Sequence, residues 1–252
     1  MLKTGLCSIT FRKLGTDAII ELAADAGLDG IEWGGDVHVV PGDPQNAAAV
    51  GRATRDAGLA VSSYGSYYRS DAEAGAFAPV LEAAKALEAP VIRVWAGRKG
   101  SADADPEYRA EVIAALRKAV NAASAEGRTV ALEYHGNTLT DTRTSAHQLL
   151  REVDHPGLKL YWQPRNGGRL EDNWEELNAA LPHLSHIHVF HWQLTPEGKI
   201  DRRPLSEGEN DWREYLDLLK RDAADRFCIL EFVRNDDPDQ LRYDAATLKA
   251  LL

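Results

Sequence analysis

The sequence predicts an α/β fold of the (β/α)8 TIM barrel class, and three observations support this prediction. The chain has 252 residues, about the usual length for one such barrel. Short apolar runs alternate with longer amphipathic segments at a spacing of roughly 30 residues, as in a parallel sheet whose strands are joined by helices. The pattern contains eight candidate strands and eight candidate helices, the number that a closed barrel requires.

The candidate strands are short apolar segments that alternate with helical patterns. In chain order they lie at 4–9, 29–33, 59–64, 90–95, 129–134, 158–163, 186–191 and 227–232. The last four fall in the segments TVALEYHG, LKLYWQPR, SHIHVFHW and CILEFVRN. Each of these four segments carries a polar side chain near the end of its strand.

The candidate helices follow from helical spacing of apolar residues and from residues typical of helix ends. The first begins with Thr16 or Asp17 as N-cap and stops at Gly27. The fourth has Asp105 as its cap, followed by proline, and ends before a glycine. The others fit 44–58, the alanine-rich segment 71–88, 142–153, 172–181, 211–222 and 238–251.

The domain organisation predicted from the sequence is one barrel over residues 1–252. No linker, low-complexity tract or shift in composition divides the chain. The rival fold is a doubly wound open sheet, which would carry a glycine-rich phosphate loop after its first strand. Here the first strand is followed by FRKLGTDA, which has no G-x-G-x-x-G pattern. We therefore favour the barrel.

Composition and charge exclude several classes of function. The net charge is −10 and no run of lysine and arginine occurs, which argues against a nucleic-acid or anionic-membrane partner. No segment approaches the roughly 20 apolar residues of a membrane span, and the N-terminal segment has no long apolar stretch of the signal-peptide kind. The two cysteines, Cys7 and Cys228, are expected to be buried thiols, and we expect a cytoplasmic protein.

Four polar side chains at the ends of strands five to eight are the strongest functional signal. They are Glu133, Gln163, His188 and Glu231. If the strands close into a barrel, these side chains converge at its C-terminal mouth, where TIM-barrel chemistry is located. Two carboxylates, one imidazole and one amide are a credible ligand set for one divalent metal ion. The two carboxylates could also exchange a proton with a substrate carbon.

Strand alternation decides which neighbours of these residues point inward. Glu133 and His135 share one face of strand five, so His135 lies inward or at the rim. His188 has inward parity, whereas His191 is on the side that should pack on helices. Taken singly, each glutamate could be a solvated strand-end residue and His188 a core histidine. Together they favour a site.

Further side chains near the strand ends are candidates for binding substrate. Tyr64, Tyr68 and Trp192 could stack on sugar C–H faces, and Trp95 could form the floor of the pocket. Arg202 and Arg203 lie in a long polar segment after strand seven, which is typical of a lid, although the pair could equally be solvated. His38, after strand two, is a candidate at the rim.

These segments together resemble the xylose isomerase-like barrel superfamily, which contains sugar and sugar-phosphate isomerases and epimerases. The resemblance covers nearly the whole chain. It depends on the order of GLDGIEWGG, VALEYHGNTLTDT, HPGLKLYWQPR, SHIHVFHW, PLSEGENDW and ILEFV. It implies one Mn²⁺, Mg²⁺ or Co²⁺ ion, with Zn²⁺ as a further candidate, held by Glu133, His188 and Glu231. It also suggests a homo-oligomer.

The sequence departs from the superfamily at Gln163, which stands where members typically carry a metal-binding aspartate. With an amide in that position the ligand set has two negative charges, so it would neutralise a divalent ion. The superfamily's H-x-K-D run ends in His191, and its D-x-x-H run is Gln163-Pro164-Arg165-Asn166. DNA-repair endonucleases of the superfamily need these residues, so their absence argues against that activity.

The function predicted from the sequence is a metal-dependent isomerase or epimerase acting on a sugar or polyol. Glu133 or Glu231 would remove the proton next to a carbonyl, and His135 could relay protons between oxygens. One alternative is a lyase on the same site, either a dehydratase or an eliminase of 3-keto-glycosides. A second is a non-catalytic sugar-binding protein with a degenerate metal site.

Overall fold

The architecture is a closed barrel of eight parallel strands, seen in a computed structural model that describes residues 1–71, 73 and 75–252. The strands are β1 (Leu2–Cys7), β2 (Gly30–Gly34), β3 (Ala60–Arg69), β4 (Val91–Trp95), β5 (Thr129–Glu133), β6 (Leu158–Trp162), β7 (Leu184–Val189), β8 (His191–Leu194), β9 (Ile200–Arg203) and β10 (Arg226–Leu230). Strands β1 to β7 and β10 form the barrel, and β10 pairs with β1 to close it. Strands β8 and β9 form an antiparallel hairpin.

Helices connect the barrel strands as the amphipathic pattern predicted. They are α1 (Thr16–Asp25), α2 (Pro44–Asp56), α3 (Phe77–Leu87), α4 (Pro106–Ala125), α5 (Arg143–Val153), α6 (Leu170–Ala180), α7 (Glu209–Lys220) and α8 (Pro238–Leu251). The fold class is therefore confirmed. The predicted third helix began at residue 71, but α3 begins at Phe77, and residues 72 and 74 of that segment lie outside the described residues.

The predicted helix caps were right in one case and wrong in another. The Asp105 side chain accepts a hydrogen bond from the Tyr108 backbone N–H at 2.8 Å, as expected of an N-cap. At α1 the N-cap is Gly15, which has no side chain to offer. The expectation of Thr16 or Asp17 was wrong because both residues already belong to the helix.

The core has two layers, and the one inside the barrel is small enough to leave room for a site. The larger layer lies between strands and helices, where the Trp33 Nε1–H donates to Thr54 of α2 at 3.1 Å. Trp162 packs edge-on against Tyr215 of α7, with ring centroids 5.2 Å apart. Both tryptophans thus face the helices, as predicted. The smaller layer fills the barrel interior with few apolar side chains: Cys7, Ile9, Val91, Ala131, Tyr161 and Ile229.

The two cysteines lie on neighbouring strands without being bonded. Cys7 and Cys228 are free and buried, and β1 pairs with β10 in a register that sets Thr4 opposite Cys228. This confirms the expectation of two buried thiols. Over the described residues, the helices are all too short or too polar to cross a bilayer.

Candidate active site

A cavity of about 570 Å³ opens at the C-terminal ends of the barrel strands. This is the end at which TIM barrels carry their chemistry. Four of the predicted catalytic and metal-binding residues line it directly: Glu133, His135, Gln163 and Glu231. His188 is fully buried beneath them and contacts three of these side chains.

The Nδ1 atom of His188 has three oxygen atoms around it, each from a different strand end. Gln163 Oε1 is 3.3 Å away, and Glu133 Oε1 and Glu231 Oε2 are each 3.5 Å away. One N–H can point at only one of them. Atoms that bind one ion at about 2.0–2.2 Å lie roughly 3.0–3.5 Å from their neighbours. The distance of each oxygen from Nδ1 is therefore close to that expected between two ligand atoms of one divalent cation.

Two hydrogen bonds orient these ligand atoms. The Gln163 amide donates from Nε2 to the Tyr134 carbonyl at 2.8 Å, which turns Oε1 toward His188. The other imidazole nitrogen, His188 Nε2, is 3.3 Å from Glu32 Oε1. A carboxylate on the far nitrogen of a metal-binding histidine fixes the ring orientation and increases its basicity.

A second group of ligand atoms overlaps the first. Cys7, His188 and Glu231 are buried and bring ligand atoms within 4.8 Å of one another. The Cys7 thiol, however, donates to Glu32 Oε1 at 3.2 Å, and burial raises its pKa. A protonated thiol is a poor ligand. We therefore regard the oxygen atoms of Glu133, Gln163 and Glu231 as the better partners for His188.

Glu32 and Arg93 form a buried charge network under the site that we did not predict. Glu32 accepts hydrogen bonds from Arg93 Nε at 3.0 Å, Ser63 Oγ at 2.8 Å and the Tyr161 hydroxyl at 2.5 Å. Burial opposes ionisation of Glu32, but Arg93 and His188 outweigh it and hold its pKa well below the usual range. The alternation within GIEWG and VIRVW places both charges inward, a signal that the sequence already contained.

The two carboxylates of the site are not equivalent. Glu133 Oε2 accepts hydrogen bonds from both Arg93 Nη1 and Trp95 Nε1. Burial would raise the pKa of Glu133, but Arg93 outweighs it and lowers the pKa to about 2. Glu231 contacts His188 and has no hydrogen bond to any other described side chain. Burial raises the pKa of Glu231 to about 7, against the opposing charge of His188.

Two other predicted residues line the cavity, and His135 lies at its rim. Trp95 and Trp192 line it, and Trp192 is stacked on Phe190 with ring centroids 4.0 Å apart. His135 is at the rim, 4.9 Å from the Trp95 ring, with Nδ1 near the Gly136 carbonyl at 2.7 Å. These positions agree with the strand alternation, while the substrate-binding roles remain predictions.

Arg202 is close to the mouth without lining the main cavity. Its guanidinium lies over the Phe232 ring, 4.4 Å from the centroid, and Nη1 donates to Asp236 at 2.7 Å. It borders a smaller pocket beside Trp192 on the β8–β9 hairpin. The hairpin therefore lies at one side of the mouth, and its role as a lid remains a prediction.

The structure does not bring Tyr64 or Tyr68 to the cavity, which corrects our expectation. Tyr64 is fully buried, and its hydroxyl donates to the Val39 carbonyl at 2.7 Å. Tyr68 packs against Phe77 of α3. The register of β3 against β4 shifts before Arg69, so strict alternation does not hold there. As a result Tyr67, with a φ of +58°, lines the cavity instead.

His38 and Arg203 are also placed away from the cavity. The ring nitrogens of His38 are occupied by Ser8 Oγ at 3.0 Å and the Leu14 carbonyl at 3.2 Å, and the side chain is buried. Arg203 lies on β9 and donates to Glu207 at 2.8 Å. Both side chains thus stabilise local structure, and we withdraw them as candidates for substrate binding.

Comparison with known proteins supports the same fold and names related activities. A family model described as xylose isomerase-like TIM barrel matches residues 20–251. A 3-dehydroshikimate dehydratase from Bacillus anthracis is 28% identical over 277 residues, covering 98% of this chain and 96% of that protein. The crystal structure of the probable 3-DHS dehydratase involved in petrobactin synthesis in that organism has a TM-score of 0.81 at 24% identity, covering 98% of both chains. The 3-keto-D-glucoside 4-epimerase of E. coli has a TM-score of 0.74 at 18% identity, covering 100% of this chain and 99% of that one, and shares the fold.

Proposed function

Because this chain belongs to the xylose isomerase-like TIM barrel family, we propose that it is a metal-dependent lyase that removes water from a hydroxylated ring ketone such as 3-dehydroshikimate. The family contains dehydratases and epimerases that modify sugars and related compounds. The choice of a lyase depends on the different hydrogen bonding of the two glutamates. Glu133 accepts hydrogen bonds from Arg93 and Trp95, whereas Glu231 has none from a described side chain other than its contact with His188.

The residues that would hold the metal are Glu133, Gln163, His188 and Glu231, as the sequence predicted. Three oxygen atoms and one imidazole suit Mn²⁺ or Mg²⁺, and we expect Mn²⁺. Two carboxylates balance the charge of such an ion. When bound, the ion would act as a Lewis acid that stabilises negative charge developing on the carbonyl oxygen of the substrate.

Glu231 is the residue we assign as the catalytic base. It faces the cavity with no hydrogen bond that would compete for its free oxygen, and burial raises its pKa, which makes its carboxylate a stronger base than that of Glu133. It would take the proton from the carbon next to the carbonyl. The electron pair of that C–H bond forms a double bond to the next carbon, whose hydroxyl leaves with the proton as water. With 3-dehydroshikimate, tautomerisation of the product ring then gives 3,4-dihydroxybenzoate.

The oxygens of Glu133 are already occupied by contacts, and this argues against an epimerase that uses two bases. Its Oε2 already accepts from Arg93 and Trp95, and its Oε1 is directed at His188. Inversion of a carbon centre by two groups requires a second carboxyl that can return a proton from the opposite face. With Glu133 engaged in this way, elimination with Glu231 alone is the reaction that the geometry supports best.

The test is turnover of 3-dehydroshikimate by the Mn²⁺-loaded protein. We expect the absorbance of 3,4-dihydroxybenzoate to appear, with the loss of one water confirmed by mass spectrometry, and the rate to fall after treatment with a chelator. Conversion of a keto-sugar to its isomer or epimer, without loss of water, would instead support the isomerase or epimerase alternative. A purified protein with no metal affinity and no turnover would support the non-catalytic alternative.

A further inference from the structure

Arg165 places a positive charge on the wall of the cavity, next to the proposed metal ligands. It follows β6 by three residues, lines the cavity together with Gln163, and its side chain is 45% exposed. Its Nε and Nη2 atoms both donate to the same oxygen, Glu176 Oε2, with the Nε contact at 3.0 Å. Within the described residues, Nη1 has no such partner.

Arg165 is held in place through both its backbone and its side chain. Its backbone N–H donates to Asn173 Oδ1 at 3.0 Å, and its carbonyl accepts from the Gly168 N–H at 2.9 Å. Glu176, on α6, is 2% exposed and therefore a rigid anchor. Because Glu176 takes both donors on one oxygen, the Nη1 edge of the guanidinium remains available in a fixed orientation. Such a preorganised edge binds an anion with little loss of side-chain entropy.

The other arginine of the cavity wall cannot serve this purpose. Arg93 is 2% exposed, and its Nε and Nη1 donors are directed to Glu32 and Glu133. Of the two arginines that line the cavity among the described residues, Arg165 is therefore the one whose side chain is exposed.

We propose that Arg165 binds a carboxylate of the substrate, so that the substrate class is a hydroxylated ring ketone acid. This inference rests on the proposed function and specifies its substrate. Gln163 and Arg165 line the same cavity, so a substrate whose ketone lies at the proposed metal ligands can present a carboxylate to Arg165. In 3-dehydroshikimate the carboxylate is in the meta position to the ketone.

The experiment compares two ligands that differ only in the carboxylate: 3,4-dihydroxybenzoate and catechol. Their affinities for the Mn²⁺-loaded protein are measured by calorimetry. Since Arg165→Gln alone would leave Glu176 buried without its partner, the test variant is the double substitution Arg165→Gln with Glu176→Gln. The matched control is Arg143→Gln, whose side chain is 46% exposed and paired with Glu175.

We expect the wild type and the control to prefer the acid by about 10- to 100-fold, the range of one charge-assisted pair. The double variant should bind both ligands equally. A wild type without preference, or a double variant that keeps it, overturns the role of Arg165 without affecting the dehydratase proposal. Loss of the preference in the double variant, together with no turnover of 3-dehydroshikimate by the wild type, upholds the anion site and refutes the dehydratase.

Discussion

Replacing Glu231 by glutamine removes the proposed base while it leaves the surrounding structure intact. The amide keeps the volume of the side chain and one oxygen that can face His188. Glu231 has no hydrogen bond to another described side chain, so the substitution breaks none. We therefore expect the substitution to lower the free energy of unfolding by no more than about 1 kcal/mol, because it removes no packing and breaks no hydrogen bond.

The rate should respond far more than the stability. Loss of a general base typically lowers the rate by about 10²–10⁴-fold. At 1.36 kcal/mol per factor of ten, this corresponds to roughly 3–5 kcal/mol of transition-state free energy. One carboxylate ligand is also lost, so metal occupancy must be measured in the same samples and the rate expressed per bound metal.

The matched comparison is Glu133→Gln, which changes the same chemical group at the same depth. Glu133 accepts from Arg93 and Trp95, and the amide cannot accept both hydrogen bonds while also directing an oxygen at His188. Breaking a buried charge pair by removing one partner costs about 3–5 kcal/mol. Glu133→Gln should therefore destabilise the fold, whereas Glu231→Gln should not.

The assays are 3-dehydroshikimate turnover at saturating Mn²⁺, metal content by mass spectrometry and unfolding in urea. If Glu231→Gln retains metal and full turnover, Glu231 is not the base, and His135 at the rim becomes the candidate. If both variants lose stability equally, the claimed difference between the two carboxylates is wrong.

Four further predictions concern charge, ligands and partners. Burial raises the pKa of Glu231 from 4.5 to about 7, so its contribution to stability is present below pH 4.5 and lost as the pH rises through 7. The melting temperature of chelator-treated protein should accordingly fall over that interval, and Glu231→Gln should reduce the fall. Gln163→Asp adds a charged oxygen and should tighten Mn²⁺ binding in calorimetry, and an unchanged affinity would remove Gln163 from the ligand set. Glu32→Gln takes the negative charge away from His188 Nε2 and should lower metal affinity by about 10–100-fold, measured by competition with a chelator. With a net charge of −10, the protein should show no salt-sensitive DNA binding in the micromolar range in an anisotropy titration and should leave abasic DNA uncleaved.

Much of the fold could be predicted from the chain because its signals are local. Apolar spacing along TDAIIELAADAG and the cap at Asp105 depend on residues within one or two turns, and they located helices that the structure contains. The convergence of Glu133, Gln163, His188 and Glu231 could also be inferred, because parallel strands of a closed barrel bring their C-terminal ends to one mouth. Alternation along the predicted strand 186–191 correctly made His188 the inward residue, while His191 lies on β8 and does not line the cavity.

The tertiary structure decided the properties that depend on contacts between distant strands. The shift in register between Gly65 and Arg69 of β3 accompanies the turn of Tyr67 into the cavity, because an irregular register breaks the two-residue period on which the sequence argument depends. Tyr64 precedes the shift, is opposite Ile92 and belongs to the core between strands and helices. The same holds for the carboxylates. Glu133 and Glu231 are equivalent in sequence pattern, and Arg93 on the adjacent strand β4 forms an ion pair with Glu133, while Glu231 has no arginine partner among the described residues. Which atoms meet inside a barrel depends on strand register and side-chain reach, and neither is a property of a local segment.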